Sequence, residues 1–273
     1  GSVIEFQPSM RDQVVKQRRI RTQLRRAIDQ DEFEVVYQPI VSLESGSAVG
    51  AEALVRWNAA DGIQMPGVFI GEAERAGLIV PIDRNVLTKV VNTLGEVVES
   101  EPTPLFISVN LSARNFQQDD LLEHFVKTIF DGRAMPDQLV AEITETALLR
   151  DPDRTVAQLA ELRELGVRVA LDDFGTGYSS LSYLRRLPVD ILKIAQPFVA
   201  DVAEDDTFVR TMIDLGKNLG LTIVAEGIET PAQWETLQSL GCDLGQGYLF
   251  DRPMSRADFL TKVLAPRESQ RQL

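Results

Sequence analysis

Eight short runs rich in Val, Ile and Leu recur along this chain, most of them separated by stretches with helical periodicity. They are Val35–Val41, Ala48–Trp57, Leu105–Leu111, Leu139–Thr144, Val167–Asp172, Asp190–Ile194, Thr222–Ala225 and Leu244–Phe250. Short apolar runs of this kind are what strands buried on both faces require. Helical patterns fill most of the gaps, as in Asp153–Leu165 and Thr207–Leu219, and Gly166 and Gly220 follow these two at natural C-terminal stops. Alternating β and α units dictate a mainly parallel sheet with right-handed crossovers. Eight strands in one chain point to closure, so the expected fold class is α/β, a (β/α)8 TIM-like barrel. The first two strands are joined only by a turn containing Glu44, Ser45 and Gly46, which makes the first strand antiparallel to the second. The chain has 273 residues, enough for a barrel of roughly 250.

The ends read differently from this body. Ile20, Leu24 and Ile28 lie four apart between Met10 and Asp31, with Arg18, Arg19, Arg21, Arg25 and Arg26 around them, the pattern of an amphipathic helix. Residues 1–31 therefore read as a tag remnant and a solvated linker helix, residues 32–264 as the barrel, and residues 265–273 as a polar tail. One cysteine, Cys242, excludes a disulfide framework and a Cys-rich zinc site. No apolar run is long enough to span a bilayer and no signal peptide is visible, so the expected compartment is the cytoplasm, with any membrane anchor carried by upstream segments. A net charge of -13 argues against long nucleic acid as a partner. It leaves room for a small phosphate ligand, because divalent cations held by carboxylates present positive charge.

Six of the strands end in, or contain, a polar group amid apolar neighbours: Glu52, Asn110, Glu142 with Glu145 following, Asp172 and Asp173, Lys193, and Glu226. Charges buried singly in a barrel core would be very costly. The economical account gathers them at the C-terminal mouth, where such barrels build active sites. Hard oxygen ligands select Mg2+ or Mn2+ rather than zinc. An Asp-Asp pair with one bridging carboxylate suits two cations. From the residues alone the chemistry stays open between a metal-dependent hydrolase and a lyase, since proton abstraction of the enolase type also needs an acidic mouth.

Longer strings narrow this. Glu52-Ala53-Leu54 lies within Gly-Ala-Glu-Ala-Leu-Val-Arg-Trp, and Tyr37–Val41, Val109–Ser112, Glu142–Glu145, Asp172–Leu181, Leu192–Ile194, Ala225–Glu229 and Gln246–Tyr248 follow in order around it. This sequence resembles the EAL-domain family of cyclic-di-GMP-specific phosphodiesterases over nearly its whole length. The resemblance implies hydrolysis of cyclic di-GMP to the linear dinucleotide pGpG with two Mg2+ or Mn2+ ions per site, Ca2+ being inhibitory. It implies that Glu52, Asn110, Glu142 and Asp172 hold one metal, and that Asp172 bridges to a second held by Asp173. Lys193 would orient the attacking water, and Glu226 would position it or act as base. Gln38, Leu54, Arg56, Gln246 and Phe250 are implied in substrate binding, and Glu145 as the anchor of the loop from Phe174 to Leu181. A homodimer and an upstream GGDEF or sensory domain are implied as well. The alternative within the family is a catalytically weak or inactive cyclic-di-GMP receptor. One departure bears on this choice: the family usually has Lys-Ile-Asp where this chain has Lys193-Ile194-Ala195. Positions two apart on a strand face the same side, which places the missing carboxylate near Lys193.

Overall fold

The computed structural model of the chain describes residues 8–100, 105–148, 151–176 and 184–264. Helix α1 (Pro8–Asp29) leads into β1 (Phe33–Ser42), which turns back onto β2 (Ala48–Ala59). Next come β3 (Gly62–Gln64), α2 (Pro66–Ala76), α3 (Ile79–Ser100), β4 (Phe106–Asn110), α4 (Leu121–Gly132) and β5 (Leu139–Thr144). Helices α5 (Glu145–Leu148) and α6 (Pro152–Glu164) precede β6 (Arg168–Phe174) and β7 (Ile191–Ile194). The chain continues through α7 (Gln196–Val199), α8 (Thr207–Asn218), β8 (Thr222–Ala225), α9 (Pro231–Ser239), β9 (Leu244–Gly245) and α10 (Arg256–Leu264).

The strands run in the order β1-β9-β8-β7-β6-β5-β4-β2-β3, and the pairing of β1 with β2 closes eight of them into a ring. Within that ring β1 is antiparallel to β2 and to β9, and the remaining neighbours are parallel. The expected antiparallel first strand is therefore present. Most strand boundaries shift from the sequence reading by one or two residues, one strand is additional and the last is five residues shorter at its end. Strand β3 is a three-residue flap on β2, too short to carry a periodic signal. The last strand stops at Gly245 instead of Phe250, because the backbone at Gly247 crosses directly over Ile228: a Cβ there would lie 2.0 Å from the Ile228 carbonyl oxygen. That oxygen instead accepts the Leu249 N–H.

The inside of the ring is built in layers by the two-residue period of a strand. Ile40, Phe106, Val140, Ala170, Ile191 and Val224 form an apolar floor, with Val49 and Leu244 against it. Gly50 completes the layer, where a Cβ would lie 2.7 Å from the Phe106 ring. The outward faces of the same strands pack on the surrounding helices in the main core, for example Ile107, Ala141, Leu171 and Leu192.

Helix α1 is not a solvated lead-in. Leu24 and Ala27 are fully buried among Phe33, Trp57, Phe69, Ala73, Ile79 and Ile82, with Ile20 and Ile28 partly covered. The expected apolar stripe is the face so buried, while Arg18, Arg19, Arg21 and Arg25 stay exposed. The tail at 265–273 lies outside the described residues. Among the described residues, no helix is long and apolar enough to cross a membrane.

Candidate active site

One step of two residues above the apolar floor, every strand of the ring turns polar. Gly50 leads to Glu52, Phe106 to Ser108, Val140 to Glu142, Ala170 to Asp172, Ile191 to Lys193, Val224 to Glu226 and Leu244 to Gln246. On the antiparallel β1 the same step runs backward, from Ile40 to Gln38, which stands opposite Glu52 in the register. The period that packs the floor thus aims these side chains into the mouth.

Lys193 Nζ is the centre of the layer. It lies 2.6 Å from Glu226 Oε1, 3.0 Å from Glu142 Oε2, 3.3 Å from Asp172 Oδ1 and 3.5 Å from Glu52 Oε2. Lys193 and Glu142 are each 1% exposed. Gln246 Nε2 donates to Glu52 Oε2 at 2.9 Å and to Gln38 Oε1 at 3.0 Å, and Asn110 Nδ2 donates to Glu52 Oε1 at 3.0 Å. Burial works against the Lys193 ammonium, yet Glu142, Glu226, Glu52 and Asp172 together hold it well above the ordinary lysine value. Burial pushes the Glu142 carboxyl well above the usual carboxylate range; Lys193 opposes this, while Glu52 and Asp172 add to it. Glu226 is raised by burial against the same opposing lysine.

Strand periodicity alone would turn Asp172 and Asp173 to opposite faces. A register irregularity between Leu171 and Phe174 prevents this, and Asp173 takes a left-handed backbone with φ 55°. A bulge of this kind re-aims a side chain, and strained backbone at a non-glycine residue persists where a site requires it. Ligand oxygens of Asp172, Asp173 and Glu226 consequently lie within 4.8 Å of one another. The Asp173 carboxyl is also raised, by desolvation first and by Asp172 next. Five carboxylates thus face one ammonium. Surplus negative charge on hard oxygen donors, with no imidazole or thiolate among them, is a donor set for Mg2+ or Mn2+.

The structure brings Gln38, Glu52, Asn110, Glu142, Asp172, Asp173, Lys193, Glu226 and Gln246 together. Glu145 is buried and its Oε1 accepts the Gly175 N–H at 3.1 Å, at the start of the expected loop, whose residues 177–181 lie outside the described ones. Arg56 is half-buried on β2 and donates to its neighbour's carbonyl, Val55 O, at 2.9 Å. Phe250 is placed elsewhere than expected. Its ring meets Trp234 of α9 edge-on, 5.3 Å between centroids, and it does not line the cleft. Cys242 is buried, and burial pushes its thiol up to about 12, which leaves it an inert packing group.

Several groups escaped the sequence reading. Gln196, Glu229 and Tyr248 line the cleft beside Glu226 and Gln246. On the other side of β2, Leu54 and Asn110 border a cavity of about 410 Å³ that also meets Asp83 and Arg114. Asp83 accepts the Ser112 N–H at 3.2 Å and Asn115 Nδ2 at 2.6 Å, and burial pushes its carboxyl up to about 7. A lone acid in Ile82-Asp83-Arg84 on a helix gives no local signal of this.

Comparison with known proteins follows the same lines. The family model for the EAL domain matches residues 21–253. The chain is 38% identical over 262 residues to the bifunctional diguanylate cyclase/cyclic di-GMP phosphodiesterase MucR of Pseudomonas aeruginosa, covering 94% of this chain and 38% of that protein. It is 40% identical over 239 residues to the cyclic di-GMP phosphodiesterase NbdA of the same organism, covering 86% of this chain and 30% of NbdA. The chain therefore spans well under half of the length of these relatives. The solved phosphodiesterase portion of MucR in complex with c-di-GMP superposes with a TM-score of 0.84 at 38% identity, over 89% of this chain and 100% of that one.

Proposed function

The chain belongs to the EAL domain family, and from that premise we propose that it hydrolyses one phosphodiester bond of cyclic di-GMP to give pGpG. The observation that carries this is the convergence of Glu52, Glu142, Asp172 and Glu226 on Lys193, with Asp173 turned into the same mouth by its left-handed backbone.

Glu52, Asn110, Glu142, Asp172 and Asp173 would hold two Mg2+ or Mn2+ ions, and Glu226 is close enough to the Asp pair to join them. Bound there, such ions supply Lewis acidity toward the phosphate and toward water. The chain's own residues do the rest. Asn110 and Gln246 fix both oxygens of Glu52. Lys193, held charged by its four carboxylate neighbours, offers Nζ protons to a developing negative charge. Glu226, at the mouth beside Lys193, would take a proton from water. The water oxygen bonds to phosphorus, the P–O3′ bond breaks, and the 3′ oxygen leaves as a hydroxyl after taking up a proton. The cavity beside Leu54 and Asn110 has room for one guanine, with the Asp83 carboxyl as acceptor for its N1–H and N2–H. An upstream GGDEF or sensory domain and a homodimeric state belong to the same proposal, MucR being described as a diguanylate cyclase as well as a phosphodiesterase.

The test is incubation with cyclic di-GMP and Mn2+, following products by chromatography. Accumulation of pGpG is the expected result. Binding without turnover would favour the receptor reading, for which Ala195 is the one specific observation.

A further inference from the structure

Two buried amides, Gln38 and Gln246, link Glu52 to the segment that follows β9. Gln246 Nε2 spends its two hydrogens on Glu52 Oε2 at 2.9 Å and Gln38 Oε1 at 3.0 Å. Gln38 Nε2 in turn donates to the Asp251 carbonyl at 3.2 Å. A carbonyl only accepts, so it decides which end of the Gln38 amide faces it. Turned over, that amide would set its NH2 against the NH2 of Gln246. Turning Gln246 to match would set its Oε1 against the Glu52 carboxylate, acceptor against acceptor. The pair therefore has one consistent orientation, and the Asp251 carbonyl selects it.

Asp251 is itself held from outside the ring. Its N–H donates to the Gly247 carbonyl at 3.2 Å, and its carboxylate pairs with Lys262 of α10. Met254, three residues on, exchanges two backbone hydrogen bonds of 2.9 Å with Tyr37, whose ring stacks on Phe259 of the same helix with 5.1 Å between centroids. Tyr37 and Gln38 are neighbours on β1 and face opposite ways, the first toward α10 and the second into the mouth. We infer that Asp251 and Lys262 are positioning residues for Glu52. The helix α10 sets the Asp251 carbonyl, and the two amides pass its orientation inward to the carboxylate. The inference rests on the reading of Glu52 as a metal ligand, and it makes the last helix of the barrel part of the support of that site.

The test is a double-mutant cycle on the intact chain, read by calorimetric titration with Mn2+ in the absence of substrate and by steady-state kinetics. K262M and D251N should each weaken Mn2+ binding, and raise the Mn2+ concentration for half-maximal rate, by about two- to fivefold. Both side chains are partly exposed, so melting temperatures should stay within about 2 °C of the unaltered protein. K262R keeps the ion pair and should restore the parental Mn2+ affinity. Q38M breaks the relay in the middle, so adding K262M to it should weaken Mn2+ binding no further. Parental affinity in both K262M and D251N, failure of K262R to restore it, or an equal loss from K262M with and without Q38M would overturn the relay while leaving the phosphodiesterase reading intact. Failure of the unaltered protein to bind Mn2+ would overturn the reading on which the inference rests.

Discussion

Lys193 Nζ stands 2.6 Å from Glu226 Oε1, and both groups sit below the rim of the barrel, on adjacent strand ends. Among the described residues the lysine is the one ammonium paired with these carboxylates, so it neutralises the floor of the site as well as serving the chemistry. Lys193→Met should lower the melting temperature of the metal-free protein and reduce turnover by at least two orders of magnitude. Stranding a buried charge costs about 3–5 kcal/mol, less whatever the carboxylates recover by taking up protons. Mn2+ should restore part of the lost stability. Thermal unfolding with and without Mn2+ checks this, and a variant as stable as the parent in chelator would show that the lysine has no such role.

Glu52 accepts hydrogen bonds on both oxygens, from Asn110 and from Gln246. Glu52→Gln keeps the shape, removes one charge and sets an N–H donor against one of the two donors. The fold should survive while kcat falls about 10²–10³-fold and the Mn2+ concentration for half-maximal rate rises. Near-normal hydrolysis with an unchanged Mn2+ requirement would make Glu52 a structural residue.

Removal of divalent ions should abolish hydrolysis and Mg2+ or Mn2+ should restore it. Ca2+ should support ligand binding without turnover, because it favours longer bonds and looser geometry than an in-line displacement needs. Full activity after exhaustive chelation would contradict the assignment of the carboxylate cluster.

The barrel was legible because its floor and its polar layer share one period: Val140 and Glu142, or Ile191 and Lys193, are two residues apart on strands that cannot slip without inverting both. The pairing of Asp172 with Asp173 in one site was read from the Asp-Asp string and not from periodicity, which separates them; the left-handed backbone at Asp173 reunites them. Tyr248 went unread for a similar reason: the last strand ends at Gly245, and the turn at Gly247 brings Tyr248 to the cleft while Phe250 packs on Trp234. Asp83 depends on contacts with Ser112 and Asn115, far away in sequence, and no local pattern encodes them.

Asp83 also gives a pH signature. Its folded-state pKa, about 7, lies above the unfolded value, so the native state binds the proton more tightly. Stability from this group is present below about pH 4 and is lost as pH rises toward 7. Asp83→Asn removes that loss. The variant should match the parent near pH 4 and exceed it at pH 8 by about 1–3 kcal/mol, the full linkage value being discounted because the carboxyl opens on a cavity. Urea unfolding at the two pH values checks the sign; a variant equally destabilised at both would mean that hydrogen bonding, not charge, governs the position.

Ala195 is the N-cap of α7, buried, with extended ψ of 147° and no side-chain cap, and it belongs to none of the apolar clusters. It continues the inward series from Ile191 through Lys193. An aspartate there has two separable effects. It can share the Phe198 N–H, which already donates to the Ala195 carbonyl at 3.0 Å, so a side-chain cap adds no more than about 0.5 kcal/mol. It also adds a carboxylate beside Lys193, which would hold the ammonium oriented in the transition state. Ala195→Asn supplies the cap without the charge. Neither substitution should raise the melting temperature by more than about a degree, and the aspartate should lower it because it joins an already negative, buried cluster. Only Ala195→Asp should raise kcat, with a smaller change in the dissociation constant measured in Ca2+. Equal rate gains from Asn and Asp would assign the position to the helix rather than to the chemistry. An unchanged kcat in both would mean that Asp173 and Glu226 already cover the function, and that the departure at Ala195 leaves the enzyme at full strength.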